Sequence, residues 1–189
     1  MLKKTAIWLL HLLGWQIDAR LPSQSKYVVV GAPHTSNWDF PLTLLTLTAL
    51  GLRYSWVGKH TLFRWPFGSL FRWLGGIPVN RTLRLTFIQQ MVAYFQGQEQ
   101  MVLAIAPEGT RAKAKYWKTG FYVIAAEAGI PIALGYIDYP RKKLGIGRTI
   151  IPSGDMIADF AHIQEFYRDI KGLHPHKQGA VILKEQLPD

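Results

Sequence analysis

The sequence predicts an α/β domain with a largely parallel central sheet flanked by helices. Short β-branched segments alternate along the chain with amphipathic segments of about ten to fifteen residues. This is the pattern of strands joined by crossover helices. The 189 residues are 49% hydrophobic, which suits one domain with a substantial buried core. We therefore treat residues 1–189 as a single domain that carries all of the chemistry.

The first predicted strand covers residues 26–31, a β-branched run that ends in glycine. A helix is predicted to begin at Ser36 or Asn37, because either side chain can cap it. Pro41 then falls in the first turn, where its missing N–H costs little. The helix is predicted to stop at Gly51.

Helical spacing of apolar residues, together with glycine and proline stops, predicts the remaining elements in order. Strands are predicted at 53–57, 76–80, 101–106, 131–139 and 147–151, with helices at 82–96, 120–128 and about 155–171. A Trp- and Phe-rich segment of helix and loop covers 59–74, and residues 172–189 are predicted to be a polar tail.

The most informative motif is Gly31-Ala-Pro-His-Thr-Ser-Asn-Trp-Asp39, directly after the first predicted strand. The His34 imidazole can act as a general base, and the Asp39 carboxylate can orient it. Residues five apart point away from each other on a continuous helix, so the pairing requires a turn between them. Alternatively, Asp39 only caps the helix and His34 is a polar loop residue.

A second motif, Pro107-Glu-Gly-Thr-Arg111, follows the predicted strand at 101–106. Gly109 permits close approach of backbone donors, and the Arg111 guanidinium can hold two oxygens of a phosphate. Alternatively, Glu108 and Arg111 form an internal salt bridge in a turn. Because both motifs follow buried parallel strands, we expect them at the same edge of the sheet, where α/β folds bind ligands.

The charge balance predicts an anionic partner. Lysine and arginine number 22 against 12 acidic residues, a formal charge of +10, so the field of the protein gathers anions. Nucleic acid, phospholipid surfaces and phosphorylated metabolites all fit that field. Seven tryptophans and 13% aromatic residues favour a membrane surface over nucleic acid, because indole rings prefer the depth of lipid headgroups.

Residues 1–15 combine two lysines with a short apolar run. The run is shorter than the roughly 20 apolar residues that a membrane span needs. No small-residue cleavage site of a signal peptide follows it. We predict an interfacial membrane helix here, and the alternative is a first helix packed on the core.

Several chemistries lack the residues they need. The chain has no cysteine, which excludes an acyl-cysteine intermediate, disulfides and a Cys-type zinc site. No P-loop or dinucleotide glycine pattern follows a strand, so nucleotide hydrolysis is not expected. Ser36 lacks the glycines of a nucleophile elbow. His174 and His176 have no third ligand nearby in the sequence, so we expect no metal site there.

The two motifs belong to a longer ordered set. Its members are His34-x4-Asp39, Gly58-Lys59 with Leu62-Phe63 and Pro66-x-Gly68, Gly76-Ile-Pro-Val-Asn-Arg81, Pro107-Glu-Gly-Thr-Arg111 with Lys118-x-Gly120, and Ile130-Pro-Ile132. In content and order this set resembles the glycerolipid acyltransferase family typified by 1-acyl-glycerol-3-phosphate (lysophosphatidic acid) acyltransferase. The resemblance covers residues 28–136 and implies a fold like that of glycerol-3-phosphate acyltransferases.

The resemblance also implies a reaction and its participants. His34 would remove the proton of an acceptor hydroxyl while Asp39 orients the ring. The oxygen would then attack the thioester of acyl-CoA or acyl-carrier protein, with a lysophospholipid as acceptor and no metal or redox cofactor. The residues implied to hold the acceptor phosphate or headgroup are Glu108, Gly109, Thr110, Arg111, Arg81 and Lys59. Such an enzyme would act in phospholipid biosynthesis, peripherally, at the cytoplasmic face of the inner membrane.

Three positions depart from the family pattern. Ala112 replaces a common serine, Asn80 replaces an acidic residue, and Leu134 replaces a proline. They leave the acceptor open between a lysophospholipid and another hydroxylated lipid. Two other functions also stay open: an acyl thioesterase, in which water replaces the acceptor, and a non-catalytic basic module that binds lipid or nucleic acid.

Overall fold

The computed structural model shows a seven-stranded sheet with helices on both faces, and it describes residues 1–79 and 84–187. The strands are β1 Gln16–Ala19, β2 Lys26–Ala32, β3 Tyr54–Lys59, β4 Gly76–Val79, β5 Met101–Ile105, β6 Ile132–Asp138 and β7 Lys143–Ile150. The helices are α1 Leu2–Leu12, α2 Asp39–Ala49, α3 Gly68–Trp73, α4 Arg84–Gln96, α5 Gly120–Ala128 and α6 Met156–Tyr167. Short 3-10 turns cover His60–Phe63, Pro175–Lys177 and Lys184–Gln186.

The strand order is β1-β7-β6-β2-β5-β3-β4. The five strands from β6 to β4 run parallel, with Val29 of the central strand β2 opposite Ala104 of β5 and Ala133 of β6. β7 is antiparallel to β6, and β1 pairs in parallel with β7. The predicted fold class, an α/β domain with a largely parallel sheet, is confirmed.

Side-chain alternation along β2 supplies the core on both faces of the sheet. Val28 and Val30 pack in a cluster with α4, α5 and α6, whereas Tyr27 and Val29 pack in a second cluster with α2. Val28 and Val30 are fully buried, and each fully buried valine contributes roughly 1.5–3 kcal/mol of hydrophobic stabilisation. The strand is therefore anchored from both sides, and the loop at its end is held in place.

Several element boundaries differ from the sequence-based expectation. β1 was not predicted, because its four residues are only partly buried and pair at the edge of the sheet. β7 begins at Lys143 instead of residue 147, because it forms a hairpin with β6 in which Lys143 pairs with Asp138. Helix α2 begins at Asp39, not at Ser36 or Asn37 as predicted. The residues before it form a turn that is organised by the Asp39 side chain.

The segment predicted to be a polar tail packs against the body of the domain in its described part, residues 172–187. Leu183 is buried in the largest core cluster, and the backbone N–H of Trp117 donates to the Ile182 carbonyl at 2.9 Å. The apolar stretch around Leu183 is too short to produce a periodic signal in the sequence.

Helix α1 has one packed and one exposed side. Ala6 and Leu10 are buried in a cluster with Leu42 of α2, whereas Leu2 and Trp8 are exposed. The helix therefore packs on the core, as one of the two interpretations expected, and still presents apolar side chains outward. None of the helices within residues 1–79 and 84–187 has the length and hydropathy needed to cross a membrane.

Candidate active site

Four parallel strands have their carboxyl ends at one edge of the sheet. His34 follows β2, Glu108 follows β5, Lys59 ends β3 and Tyr139 follows β6. These strands are neighbours and run in the same direction. Side chains from distant parts of the sequence are therefore brought to one edge, where parallel α/β sheets place their ligands.

The turn that a His34–Asp39 pairing requires is present. His34 Nδ1 lies 3.2 Å from Asp39 Oδ2. The same carboxylate oxygen accepts the backbone N–H groups of Thr35 and Ser36, both at 2.8 Å. The carboxylate therefore folds the preceding residues back over the start of α2, and this fold brings the imidazole within its reach.

Asp39 is 2% exposed and is held by a further residue that sequence reasoning missed. The Tyr139 hydroxyl donates to Asp39 Oδ1 at 2.7 Å. Burial alone raises the pKa of Asp39, but the hydrogen bonds from His34, Tyr139 and Ser36 hold that pKa below its ordinary value. Asp39 therefore stays ionised beside the imidazole. No local pattern links Tyr139 to Asp39, because they lie 100 residues apart.

His34 is oriented for general-base chemistry. Its Nδ1 faces the Asp39 carboxylate, so this nitrogen carries the proton in the neutral ring and Nε2 keeps its lone pair. The side chain is 20% exposed. A cavity of about 40 Å³ lies beside the ring, between α2 and the sheet, with Val29, Leu47 and Ile137 in its lining.

Glu108 lies beneath the loop that carries His34. Its Oε1 accepts the His34 backbone N–H at 2.9 Å, whereas Oε2 is buried without a hydrogen-bond partner among the described residues. Burial raises the pKa of Glu108, the His34 N–H opposes the rise, and the nearby Asp39 charge adds to it. This contact joins the two sequence motifs directly.

The rest of the second motif points outward. Gly109 has a φ of 63°, and a Cβ there would lie 3.0 Å from Lys118 Nζ, so glycine suits both the backbone and the close approach. Thr110 and Arg111 are exposed, and Thr110 Oγ1 accepts the Ala112 N–H at 3.2 Å. Glu108 and Arg111, both within the described residues, form no ion pair, so the Arg111 guanidinium is available to an anion.

The structure describes some of the other residues that the sequence analysis considered, but not all of them. Lys59 is exposed at the end of β3, on the same edge as His34, whereas Arg81 lies outside the described residues. His174 and His176 have ring centroids 5.8 Å apart. The described ranges contain no cluster of three or more metal-ligating side chains.

Comparison with known proteins identifies the family. The model of the acyltransferase family matches residues 16–136, more than half of the chain. The chain belongs to the acyltransferase family. Its fold is similar to that of the 1-acyl-sn-glycerophosphate (LPA) acyltransferase PlsC from Thermotoga maritima, with a TM-score of 0.59 and 16% identity over 88% of this chain and 75% of the PlsC chain. No curated protein sequence matches at a significant level.

Glu108 of this acyltransferase provides a test of stability against pH. Its pKa is raised in the folded state, so the charged carboxylate destabilises the fold above that pKa, and the penalty vanishes below the unfolded value of about 4.3. Glu108→Gln, which keeps an acceptor for the His34 N–H, is expected to raise the melting temperature at pH 8. The gain should shrink as the pH falls towards 4.

Glu108→Ala is the matched comparison, because it leaves the His34 N–H without its acceptor. We expect it to lower the free energy of unfolding by about 1–3 kcal/mol and to reduce acyl transfer, whereas glutamine should restore transfer. Thermal unfolding and transfer assays on both variants measure these effects. A glutamine variant whose stability relative to the parent does not change with pH would contradict the buried charge.

Proposed function

We propose that this acyltransferase moves a fatty acyl group from acyl-CoA or acyl-carrier protein to the hydroxyl of a lysophospholipid, most directly 1-acyl-glycerol-3-phosphate. The hydrogen bond from the His34 N–H to Glu108 carries the proposal. It joins the loop of His34, the proposed general base, to the loop of Arg111, the proposed phosphate ligand, at one edge of the sheet, and this supports acylation of a phosphorylated alcohol.

The chemical steps follow from the orientation of the ring. His34 Nε2 takes the proton of the acceptor hydroxyl as its oxygen attacks the thioester carbonyl. The carbon–sulfur bond then breaks, the new ester forms, and the imidazolium returns the proton to the departing thiolate. Asp39, ionised and fixed by Tyr139, stabilises the imidazolium. No atom changes oxidation state, so the reaction needs no redox cofactor.

Arg111 and its neighbours supply the acceptor site in this proposal. The guanidinium of Arg111 can bind two oxygens of a phosphate monoester, with Gly109 and Thr110 beside it. Lys59 contributes charge from the neighbouring strand end, and Arg81 stays in the group as a prediction from the sequence. Holding both reactants in place supplies much of the acceleration.

For Glu108 we propose a different role from the one that the family resemblance implied. Glu108 is 8% exposed, and its carboxylate accepts a hydrogen bond from the His34 backbone N–H. A negative charge in that position would repel a phosphate. We assign Glu108 as a positioning residue that holds the His34 loop, and we keep the phosphate contacts for the cations.

The proposed setting is the lipid surface. We place the enzyme peripherally at the cytoplasmic face of the inner membrane, in phospholipid biosynthesis. Exposed Leu2 and Trp8 on α1 support interfacial contact, because apolar and indole side chains on a helix with lysines at its start favour the headgroup region. The net charge of +10 adds attraction to anionic lipids.

The deciding experiment incubates the purified chain with labelled acyl-CoA or labelled acyl-carrier protein, with and without lysophosphatidic acid. We expect label to appear in phosphatidic acid and only when the acceptor is present. Free fatty acid released at the same rate without acceptor would assign a thioesterase. Turnover of neither donor would assign a non-catalytic lipid-binding module. A panel of lysophospholipids then identifies the acceptor.

A further inference from the structure

The segment between β3 and β4 exposes five large apolar side chains, of which Leu62, at 43%, is the least exposed. Trp65 is 93% exposed, Trp73 79%, Phe67 60% and Leu70 47%. We call these four residues the aromatic surface. Monomeric proteins rarely expose neighbouring apolar groups of this size unless they contact a partner or a membrane. The surface plays no part in the chemistry derived above.

The aromatic surface is presented by a firmly packed scaffold. On the inner side of the segment, Phe63 stacks on Trp56 with ring centroids 5.6 Å apart, and Phe71 packs edge-on against both. A Cβ at Gly68 would collide with the Phe63 carbonyl. The Trp56 indole N–H also donates to the Leu74 carbonyl at 2.9 Å. The exposed rings are therefore not the result of a loosely folded segment.

The aromatic surface borders the edge that carries the active site. Its segment begins directly after Lys59, at the carboxyl end of β3. Phe71 contacts Phe40 at the start of α2, with ring centroids 6.2 Å apart. Two residues before Phe40 lies Trp38, which is 68% exposed in the turn between His34 and α2. Exposed aromatic groups therefore occur both on the segment and in the turn that follows His34, and the half-buried rings of Phe71 and Phe40 connect the two.

The charged residues of the segment that carries the aromatic surface all have one sign. Residues 40–98 contain no aspartate or glutamate. The segment itself carries Lys59, Arg64 and Arg72, all exposed. A surface of indole rings interleaved with cations and free of carboxylates complements a negatively charged layer that has an apolar interior.

We propose that the aromatic surface docks into the headgroup region of an anionic phospholipid bilayer. Trp65, Phe67, Leu70 and Trp73 lie at the boundary between headgroups and acyl chains, and the neighbouring cations contact lipid phosphates. The inference rests on the proposed function, because docking at this surface would bring the lipid acceptor to the edge of the sheet that carries His34. It adds a second membrane contact to the one proposed for α1.

A second copy of the chain fits this surface less well than a bilayer does. A symmetric dimer through the aromatic surface would bring Arg64 and Arg72 of both copies into one interface to which the segment contributes no carboxylate, and like charges gathered in an interface are destabilising. An acidic carrier protein would complement the charge, and the test below separates it from the bilayer.

The test compares two double variants that each remove two exposed apolar side chains. Trp65→Ser/Trp73→Ser removes the most exposed rings, and Ile151→Ser/Ile157→Ser removes residues that are 69% and 64% exposed outside the surface. Sedimentation with phosphatidylglycerol–phosphatidylcholine vesicles is expected to show about tenfold or more weaker binding for the tryptophan variant only. Transfer between short-chain, water-soluble donor and acceptor should stay within about twofold of the parent in both variants.

A fluorescent label gives a second measurement that does not depend on removing a ring. The chain has no cysteine, so a Leu70→Cys variant can be labelled at one site with a polarity-sensitive dye. Adding the same vesicles is expected to shift its emission to the blue. The same dye at Ile157→Cys is expected to stay unchanged.

Unchanged vesicle binding by the tryptophan variant, or equal losses of binding in both double variants, would overturn the docking proposal. It would also be overturned if transfer from a carrier-protein donor fell in the tryptophan variant while vesicle binding stayed the same. Light scattering that shows a dimer dissociating in the tryptophan variant would also overturn it, in favour of a second copy. A parent chain that binds vesicles through this surface but transfers no acyl group would instead contradict the proposed function alone.

Discussion

Replacing His34 by alanine is expected to lower kcat/KM for acyl transfer by about 10²–10⁴-fold, which is the usual contribution of a positioned general base. The loss corresponds to about 3–5 kcal/mol of transition-state stabilisation. The imidazole pairs through Nδ1 with an ionised, buried carboxylate, and Nε2 has no hydrogen-bond partner within residues 1–79 and 84–187. Initial rates at varied acceptor concentration and saturating donor give kcat/KM and measure the effect.

The His34→Ala variant should fold as the parent does. Alanine keeps the backbone N–H that donates to Glu108, so the hydrogen bond between the two motifs remains after the substitution. His162→Ala, which removes an exposed imidazole on α6, is the matched control and should retain transfer. Vesicle binding should persist in both variants. Transfer by His34→Ala within a few-fold of the parent would remove His34 from the mechanism.

Replacing Arg111 by alanine is expected to lower kcat/KM for the acceptor by about 10–150-fold. Hydrogen bonds to a charged group are worth about 1.5–3 kcal/mol, and a guanidinium can make two of them to one phosphate. The KM for the acyl donor should change little, because the exposed Arg111 side chain is assigned to the acceptor. Initial rates at varied acceptor concentration measure the effect.

Two further variants isolate the geometry of the Arg111 contact. Arg111→Lys keeps the charge but loses the planar fork, so its activity should lie between alanine and the parent. Lys113→Ala removes an exposed cation two residues away and should change acceptor kinetics by a few-fold at most. If acceptor KM and turnover are unchanged in Arg111→Ala, the phosphate is held elsewhere.

Much of the fold follows from local sequence patterns. The β-branched run of β2 and the apolar run of β5 were predicted within a residue or two, because side chains buried on both faces of a parallel sheet leave a continuous apolar signal. Helix α5 was predicted with its observed bounds, since a glycine follows its last residue. Parallel strands then require His34 and Glu108 to share one edge, and the structure places them there.

The orientation of the site residues could not be obtained from local patterns. Tyr139 reaches Asp39 across 100 residues of sequence, and Glu108 turns inward to the His34 backbone instead of outward to solvent. Both depend on which loops the sheet brings together and on which polar atoms remain unpaired when those loops close. The exposure of Trp65 and Trp73 also follows from tertiary packing and not from residue type, because the nearby aromatic residue Trp56 is buried against Phe63.

The sequence by itself determined most of the succession of strands and helices, the resemblance to the family, and the two motifs that carry an imidazole and a guanidinium. Only the tertiary structure decided that the tail packs on the core, that β1 extends the sheet, and that Glu108 accepts the His34 backbone N–H. The physical reason is that periodicity and turn chemistry act over a few residues, whereas burial and hydrogen-bond satisfaction depend on contacts between segments far apart in the chain.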